Sequence, residues 1–269
     1  MQIQNNSQKN KFQKKILEYY KKQGRDLPWR KTKNRYKILV SEIMLQQTQV
    51  SRVIEKYNEW LEKFPTVESL ANAQLVEVLQ VWSGLGYNSR GKRLWEAAQK
   101  IVKEHKGRVP KTVEELIELP GIGPYTARST IIFADNANIA TVDTNIRRIL
   151  IHEFKLVEDT KDAELFALAE KILPKGKSRD WHNALMDYGS TVLTSKKTGI
   201  KAKTQQNTFK GSRREYRAKI IKYLTTNTSI SSKEAKNLFS DSPYELKEIL
   251  SELEKEGLLK KDKQKYSIQ

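Results

Sequence analysis

An all-α fold is what this chain predicts, and three observations predict it. Across residues 36–193 apolar side chains recur at spacings of three and four, the period of a helix that buries one face. Strand-like alternation is scarce over the same span. Prolines 65, 110, 120 and 174 fall where one apolar run stops and the next begins, as expected of a residue that cannot continue a helix. The 269 residues include 38% hydrophobic and 9% aromatic side chains, enough to bury a core and too many for wholesale disorder.

The elements follow in order. Residues 1–25 are polar and lysine-rich and predict a basic N-terminal helix without an apolar signal core. Residues 36–64 carry Ile38, Leu39, Ile43, Met44, Val50, Val53, Ile54 and Tyr57 at helical spacing. Further helical runs cover 75–82, 93–104, 113–119, 125–134, 145–154, 163–173 and 181–193. Residues 194–214 mix lysines with Gly, Thr and Gln and read as a linker. After it, 215–226, 232–239 and 243–256 predict three short helices, and Gly257 offers a stop. Residues 258–269 then alternate weakly around a charged turn. Three helices and a small hairpin predict either a winged-helix-like module or a helical bundle for protein contact. The predicted organisation is a core at 1–193, a basic linker at 194–214 and a terminal module at 215–269.

Composition excludes several chemistries. With no cysteine there can be no disulfide, thiolate metal site, cysteine-ligated cluster or cysteine nucleophile. Fifty Lys and Arg against 32 Asp and Glu give a formal charge of +18, which points to a polyanion. No apolar run approaches the roughly 18–20 residues of a spanning helix, so a membrane is not the expected partner. The charge is uneven: residues 1–25 hold +6 and 194–214 hold +7, flanking a nearly neutral middle. Lys196, Lys197, Lys201 and Lys203 thus form either a solvated tether or a strap laid along phosphates. The expectations are a monomer in the cytoplasm, associated with the nucleoid in a prokaryote.

Three local patterns carry chemistry. In Leu119-Pro-Gly-Ile-Gly-Pro-Tyr-Thr126, Gly121 and Gly123 allow a tight turn, and Pro124 opens a helix whose positive dipole end faces outward. This is either a compact helix–helix connection or a backbone seat for a phosphate oxygen. In Thr141-Val-Asp-Thr-Asn-Ile-Arg-Arg148, Asp143 stands at a helix start, either as a cap or as a carboxylate facing a developing cation. In Val40-Ser-Glu-Ile-Met-Leu-Gln-Gln-Thr-Gln-Val50, Glu42 is an acid within an apolar helix.

The glycine turn resembles a helix–hairpin–helix DNA-binding element. Followed at this spacing by Asp143, it resembles the helix–hairpin–helix DNA glycosylase superfamily. Leu27-Pro-Trp-Arg30, the Ser-Glu-Ile-Met-Leu-Gln-Gln-Thr string and Trp82-Ser-Gly-Leu-Gly-Tyr-Asn-Ser-Arg90 narrow the likeness to adenine DNA glycosylases of the MutY type, over residues 20–195. The resemblance implies excision of adenine mispaired with 8-oxoguanine or guanine in double-stranded DNA. It makes Glu42 the acid that protonates adenine, Asp143 the carboxylate that stabilises the sugar cation, and Tyr125 a steadying neighbour. Endonuclease III-type relatives carry a lysine where Tyr125 stands, so strand cleavage is not expected. Gln47 and Tyr87 would fill the gap left by the flipped base. Arg25, Trp29 and Asp187 match positions near the adenine pocket, and Gly121, Gly123 and Asn145 match DNA-contacting ones.

Three departures stand out. The family's four cluster cysteines would fall at Leu193, Ile200, Lys203 and Phe209, so no iron–sulfur cluster and no other cofactor or metal is expected. The usual Nudix-like β domain has no counterpart in the helical residues 215–269. Thr144 stands where the family prefers Gly. Rival readings are a thymine or uracil glycosylase acting on guanine mispairs and a non-catalytic DNA-binding protein on the same scaffold.

Overall fold

A computed structural model describes residues 6–203 and 208–269. Helices dominate: α1 (Asn6–Gln23), a 3-10 turn (Pro28–Lys31), α2 (Arg35–Leu45), α3 (Val50–Lys63), α4 (Val67–Ala71), α5 (Leu75–Trp82) and α6 (Asn88–His105) come first. Then follow α7 (Val113–Ile117), α8 (Pro124–Asp135), α9 (Thr144–Glu153), α10 (Asp162–Ile172), α11 (Ser178–Thr191) and α12 (Ser195–Thr198). The chain ends in α13 (Arg213–Leu224), β1 (Ile230–Ser231), α14 (Ser232–Leu238), α15 (Leu246–Lys255), β2 (Leu259–Asp262) and β3 (Lys265–Ile268). Local chemistry sets many of the starts. Thr66 and Ser69 form a capping box at α4, Pro124 occupies the first turn of α8, Asp143 caps α9, and Ser231 with Glu234 boxes α14.

The all-α expectation holds, with differences in the helices: α4 has no predicted counterpart, and α12 is a short helix inside the predicted linker. The run 36–64 is two helices, because residues 46–49 break it and Gln47 adopts a left-handed backbone (φ 55°). The run 113–119 stops at Ile117, just ahead of Pro120.

The chain divides into two compact units. The first comprises residues 1–39, 111–117 and 122–205. Its core is built by α1, α9, α10 and α11. Phe12 and Ile16, one turn apart on α1, insert among Ile146, Ile149, Leu150, Leu165 and Trp181. The Phe12 ring meets Phe154 and Trp181 edge-on at 5.3 and 5.6 Å. Each such buried side chain contributes about 1.5–3 kcal/mol.

The second unit comprises residues 40–110, 118–121 and 206–269. In it Trp60 packs edge-on against Phe64 and Trp82. Gly91 lets α6 lie on that cluster, since a Cβ there would fall 2.8 Å from the Trp82 ring. The terminal residues belong to this unit: α13 packs on α5, and Gln80 Nε2 donates to the Thr225 carbonyl at 2.6 Å. The last strands form an antiparallel sheet in the order β1-β3-β2, with Ile230 opposite Tyr266 and Leu259 opposite Ile268. The three helices and the hairpin lie close to their expected positions. The two-residue β1 is an addition.

Candidate functional site

The glycine turn joins α7 to α8. Gly121 takes φ 76°, and a Cβ there would sit 2.8 Å from Arg93 Cβ, so both backbone and space demand glycine. Gly123 differs: it caps α8 with extended backbone, and nothing lies within 4 Å of where its Cβ would be. Its small size leaves the start of a 12-residue helix open to approach. Tyr125 lies half-buried in the first turn of α8.

Asp143 is the N-cap of α9. Its Oδ1 accepts from the Ile146 N–H at 2.7 Å and its Oδ2 from Asn145 Nδ2 at 3.1 Å. Asn145 in turn accepts from Arg148 Nη2, which also donates to the Gly189 carbonyl at 2.8 Å, while Arg148 Nε reaches the Leu193 carbonyl at 2.6 Å. Gly189 permits this closeness of α11 to α9, because a Cβ there would lie 2.8 Å from Asn145 Cβ. Burial pushes the Asp143 carboxyl above its ordinary range, although the hydrogen bonds from Ile146 and Asn145 pull the other way. Thr144 starts α9 with φ outside the left-handed region, so a side chain there brings no strain.

The approach to Asp143 is set by a residue that no sequence motif marks. His182 is buried on α11; its Nδ1–H donates to the Ser178 carbonyl at 2.7 Å and its Nε2 accepts the Thr141 N–H at 3.1 Å. Burial outweighs the Ser178 hydrogen bond and lowers its pKa to about 4, so the ring is neutral near pH 7. Its spacing in the sequence offered no signal, because Thr141 lies 41 positions away and both partners are backbone groups.

Asp187 is fully buried, and each of its oxygens accepts two hydrogen bonds. Arg25 gives Nε at 2.6 Å and its backbone N–H at 2.9 Å; Arg30 gives both terminal nitrogens at 2.8 Å. Burial opposes ionisation, but Arg30 and Arg25 outweigh it and hold the carboxyl below the usual range. The ion cluster pins the 3-10 turn, with Trp29 buried in it, to α11. Arg30 was not among the predicted residues.

In the second unit, Glu42 is 7% exposed within a run, Val40 to Met44, that is buried throughout. Gln47 lies beyond the end of α2 and is exposed. Tyr87, in the loop before α6, is 37% exposed and is likewise left-handed (φ 48°). One half-buried side chain joins the two loops. Arg90 Nη1 donates to the carbonyls of Ile43 (2.9 Å), Met44 (3.2 Å) and Gln46 (2.5 Å). Its Nη2 donates to Thr48 Oγ1 (3.1 Å) and the carbonyls of Leu85 (2.9 Å) and Gly86 (3.1 Å). The guanidinium lies over the rings of Trp82 and Tyr87 at 5.4 and 5.5 Å. Burial lowers its pKa to about 10, still far above neutrality. Arg90 thus caps the last turn of α2 and holds both strained loops.

The four positions where cluster cysteines would fall do not fit an iron–sulfur cluster. Leu193 and Ile200 are buried in the core of the first unit, Lys203 pairs with Asp162 at 2.6 Å, and the Phe209 ring is exposed. Lys196, Lys197 and Lys201 are exposed, the first two on α12. Among the described residues no group of three His, Cys, Asp or Glu side chains is placed to hold a metal, and no helix is long and apolar enough to cross a membrane.

The fold and the glycine turn define a class, and comparison fixes it: the profile of the HhH-GPD superfamily of base excision DNA repair proteins matches residues 40–175, and the chain belongs to that superfamily. Among curated relatives, the adenine DNA glycosylase of Rattus norvegicus is 41% identical over 196 residues, 68% of this chain and 38% of that protein. That of Mycolicibacterium smegmatis is 41% identical over 186 residues, 67% of this chain and 63% of that protein. The chain therefore spans less than two-thirds of the length of these relatives. Among solved structures, a thermostable thymine-DNA glycosylase aligns with a TM-score of 0.66 and 29% identity, covering 72% of this chain and 94% of the other. A trapped endonuclease III–DNA intermediate, 20% identical with a TM-score of 0.63 over 76% of this chain and 92% of the other, shares the fold.

Proposed function

We propose that this protein is a monofunctional DNA glycosylase of base excision repair that removes adenine mispaired with 8-oxoguanine or guanine in double-stranded DNA. The observation that carries the reading is the 41% identity with adenine DNA glycosylases over about two-thirds of the chain. Glu42, in its buried apolar surroundings, is the acid. It gives its proton to N7 of adenine as the C1′–N9 bond breaks, and the bonding electrons leave with the base. Asp143, whose carboxyl is stabilised as the anion by the Ile146 N–H and Asn145, faces the positive sugar. Water then adds to C1′ and returns a proton to the Glu42 carboxylate. Burial raises the Asp143 pKa, and a developing cation favours its ionised form, so the interaction strengthens in the transition state. Tyr125 steadies the intermediate. With tyrosine in place of a lysine at this position, no Schiff base forms and the strand is left intact.

The exposed Gln47 and Tyr87 fill the space vacated by the flipped adenine. Gly121, Gly123 and the start of α8 take one phosphate, and Asn145 contacts DNA at the start of α9. Arg25 and Trp29 border the base pocket; Asp187, saturated by two arginines, serves it by fixing them in place. Lys196, Lys197, Lys201 and Lys203 lie along phosphates. The organisation is a glycosylase core at 1–193, a basic linker at 194–214 and a winged-helix-like module at 215–269, acting as a monomer wherever the chromosome lies, which in a prokaryote is the cytoplasm.

The test is incubation with duplexes carrying A·8-oxoG, A·G, T·G and U·G, followed by alkali to reveal abasic sites. Cleavage of the A-containing strands is expected. Glu42→Gln removes the proton donor at nearly constant size and should lower turnover by at least about a hundredfold while duplex affinity persists. Turnover at the wild-type rate would remove Glu42 from the role of acid.

A further inference from the structure

A cavity of about 690 Å³ opens within the second unit, walled on one side by Gln47 and the 83–88 loop and on another by the face of α13. Its volume suits a nucleotide. Gly86 forms part of the wall with no side chain, and nothing lies within 4 Å of where its Cβ would be. The walls are basic: Arg52, Lys56, Arg214, Lys219 and Lys222 against Glu55 and Glu215. Lys56 and Lys219 are paired with acids, whereas Arg52 and Lys222 have no ion pair among the described residues.

One rim of the cavity is a ladder of flat groups. The Arg214 guanidinium lies 4.9 Å from the Tyr87 ring centroid and 5.7 Å from that of Phe209, and Arg214 Nη1 also donates to the Tyr87 hydroxyl. Phe209 is 49% exposed, an unusual state for a large aromatic ring that the solvent penalises. Aromatic and guanidinium faces in a basic recess are what stacks a nucleobase and holds its phosphate. Arginine's forked donors also match the O6 and N7 edge of a purine. Gln47 and Tyr87 border the same cavity, and in the proposed function these residues enter the duplex at the mispair.

We propose that this cavity receives the purine nucleotide opposite the excised adenine, and that Phe209 and Arg214, from the end of the basic linker where α13 begins, are the specificity-determining residues that stack on it and grip it. The inference rests on the glycosylase reading. It gives residues 208–222 a task in mispair recognition that neither the glycine turn nor the Glu42 and Asp143 carboxylates perform.

The experiment measures affinity of the full chain for three duplexes whose target adenosine carries a 2′-fluoro group, which blocks hydrolysis. The opposite position holds 8-oxoguanine, guanine or a tetrahydrofuran lacking any base. Phe209→Ala and Arg214→Lys should each weaken binding to the two purine-containing duplexes about tenfold and leave the tetrahydrofuran duplex unchanged. Phe209→Trp, which keeps a flat face, should bind as the wild type does. Phe209 is exposed, so its variants do not threaten the fold, and melting temperatures confirm this. Equal loss on all three duplexes would mean that these residues grip only backbone, and would overturn the proposal, as would no loss on any. If the wild type excises no base from any mispair, the glycosylase reading fails; the binding comparison still decides whether the cavity reads a purine.

Discussion

Replacing Arg90 with methionine removes the four N–H groups of Nη1 and Nη2, which reach six acceptors from one half-buried side chain, while keeping much of its volume. Five of the acceptors are backbone carbonyls, two of them (Ile43 and Met44) in the last turn of α2, where the helical ladder runs out and Ile43 keeps a long 3.4 Å bond from the Gln46 N–H. Charge-assisted bonds contribute about 1.5–3 kcal/mol each, but lost bonds are partly replaced by relaxation and water. Each acceptor left unsatisfied costs about 1–3 kcal/mol, so with two of the six left dry after relaxation about 3–5 kcal/mol is the realistic total. For a chain of this size 1 kcal/mol shifts the melting temperature by about 2–4 °C, so R90M should melt about 6–20 °C lower. Function should suffer beyond stability. Gln47 and Tyr87 hold left-handed backbones at a cost of about 1 kcal/mol or more each, tolerated because the arginine ties down both loops. Without it each loop relaxes, and adenine excision measured well below the variant's melting point should fall about a hundredfold. Arg90→Lys, with three donors and no plane, should fall between the two. Melting within about 2 °C of the wild type together with unchanged excision kinetics would refute the reasoning.

Two further outcomes follow from the first unit. His182 has a folded pKa of about 4 against about 6.5 unfolded, so the unfolded chain takes up the proton first on acidification. Its stabilising contribution is complete above about pH 6.5 and is lost as pH falls toward 4, amounting to about 3 kcal/mol. Denaturant titrations of His182→Gln should show a flatter pH dependence across that window; an unchanged slope would assign the effect to other groups. Reversing the charge of Lys196, Lys197, Lys201 and Lys203 should weaken duplex binding at low salt, and the slope of log affinity against log salt should fall by about 0.9 for each phosphate that is no longer neutralised. Unchanged affinity and slope would show that these lysines are a solvated tether.

How much of this was legible in the sequence depends on what each residue touches. Helical periodicity reports a buried stripe, so most of the helices of the middle region were readable, and so was an acid at position 42 embedded in apolar neighbours. The interruption at residues 46–49 was not, because Ile43, Met44, Val50 and Val53 continue the period across it. The break is enforced by Arg90, 44 positions beyond Gln46, and in Asn-Ser-Arg-Gly-Lys-Arg that arginine looks like any surface cation. Asp143 was legible as a helix start; its chain of partners through Asn145 and Arg148 to Gly189 and Leu193 spans more than forty residues and was not. Asp187 could be marked as an acid, but only the fold shows both its oxygens already occupied by Arg25 and Arg30. The two-residue β1 is too short for any alternation to register.

The missing cysteines acquire a physical meaning from the same contacts. A cluster would tie residues 193, 200, 203 and 209 together covalently through metal, closing the loop that follows α11. In this chain Leu193 and Ile200 enter the hydrophobic core instead, each contributing about 1.5–3 kcal/mol, and Lys203 adds an exposed ion pair of small value. Apolar burial of this kind constrains the first half of the loop, up to Ile200, and leaves Phe209 free to belong to the other compact unit. It also links the loop to the carboxylate at position 143, since Arg148 holds the Leu193 carbonyl with one nitrogen and Asn145 with another. Loss of a cluster therefore need not loosen Asp143: the arginine transmits the position of the loop to the helix cap through hydrogen bonds of 2.5–2.6 Å, whatever closes the loop beyond it.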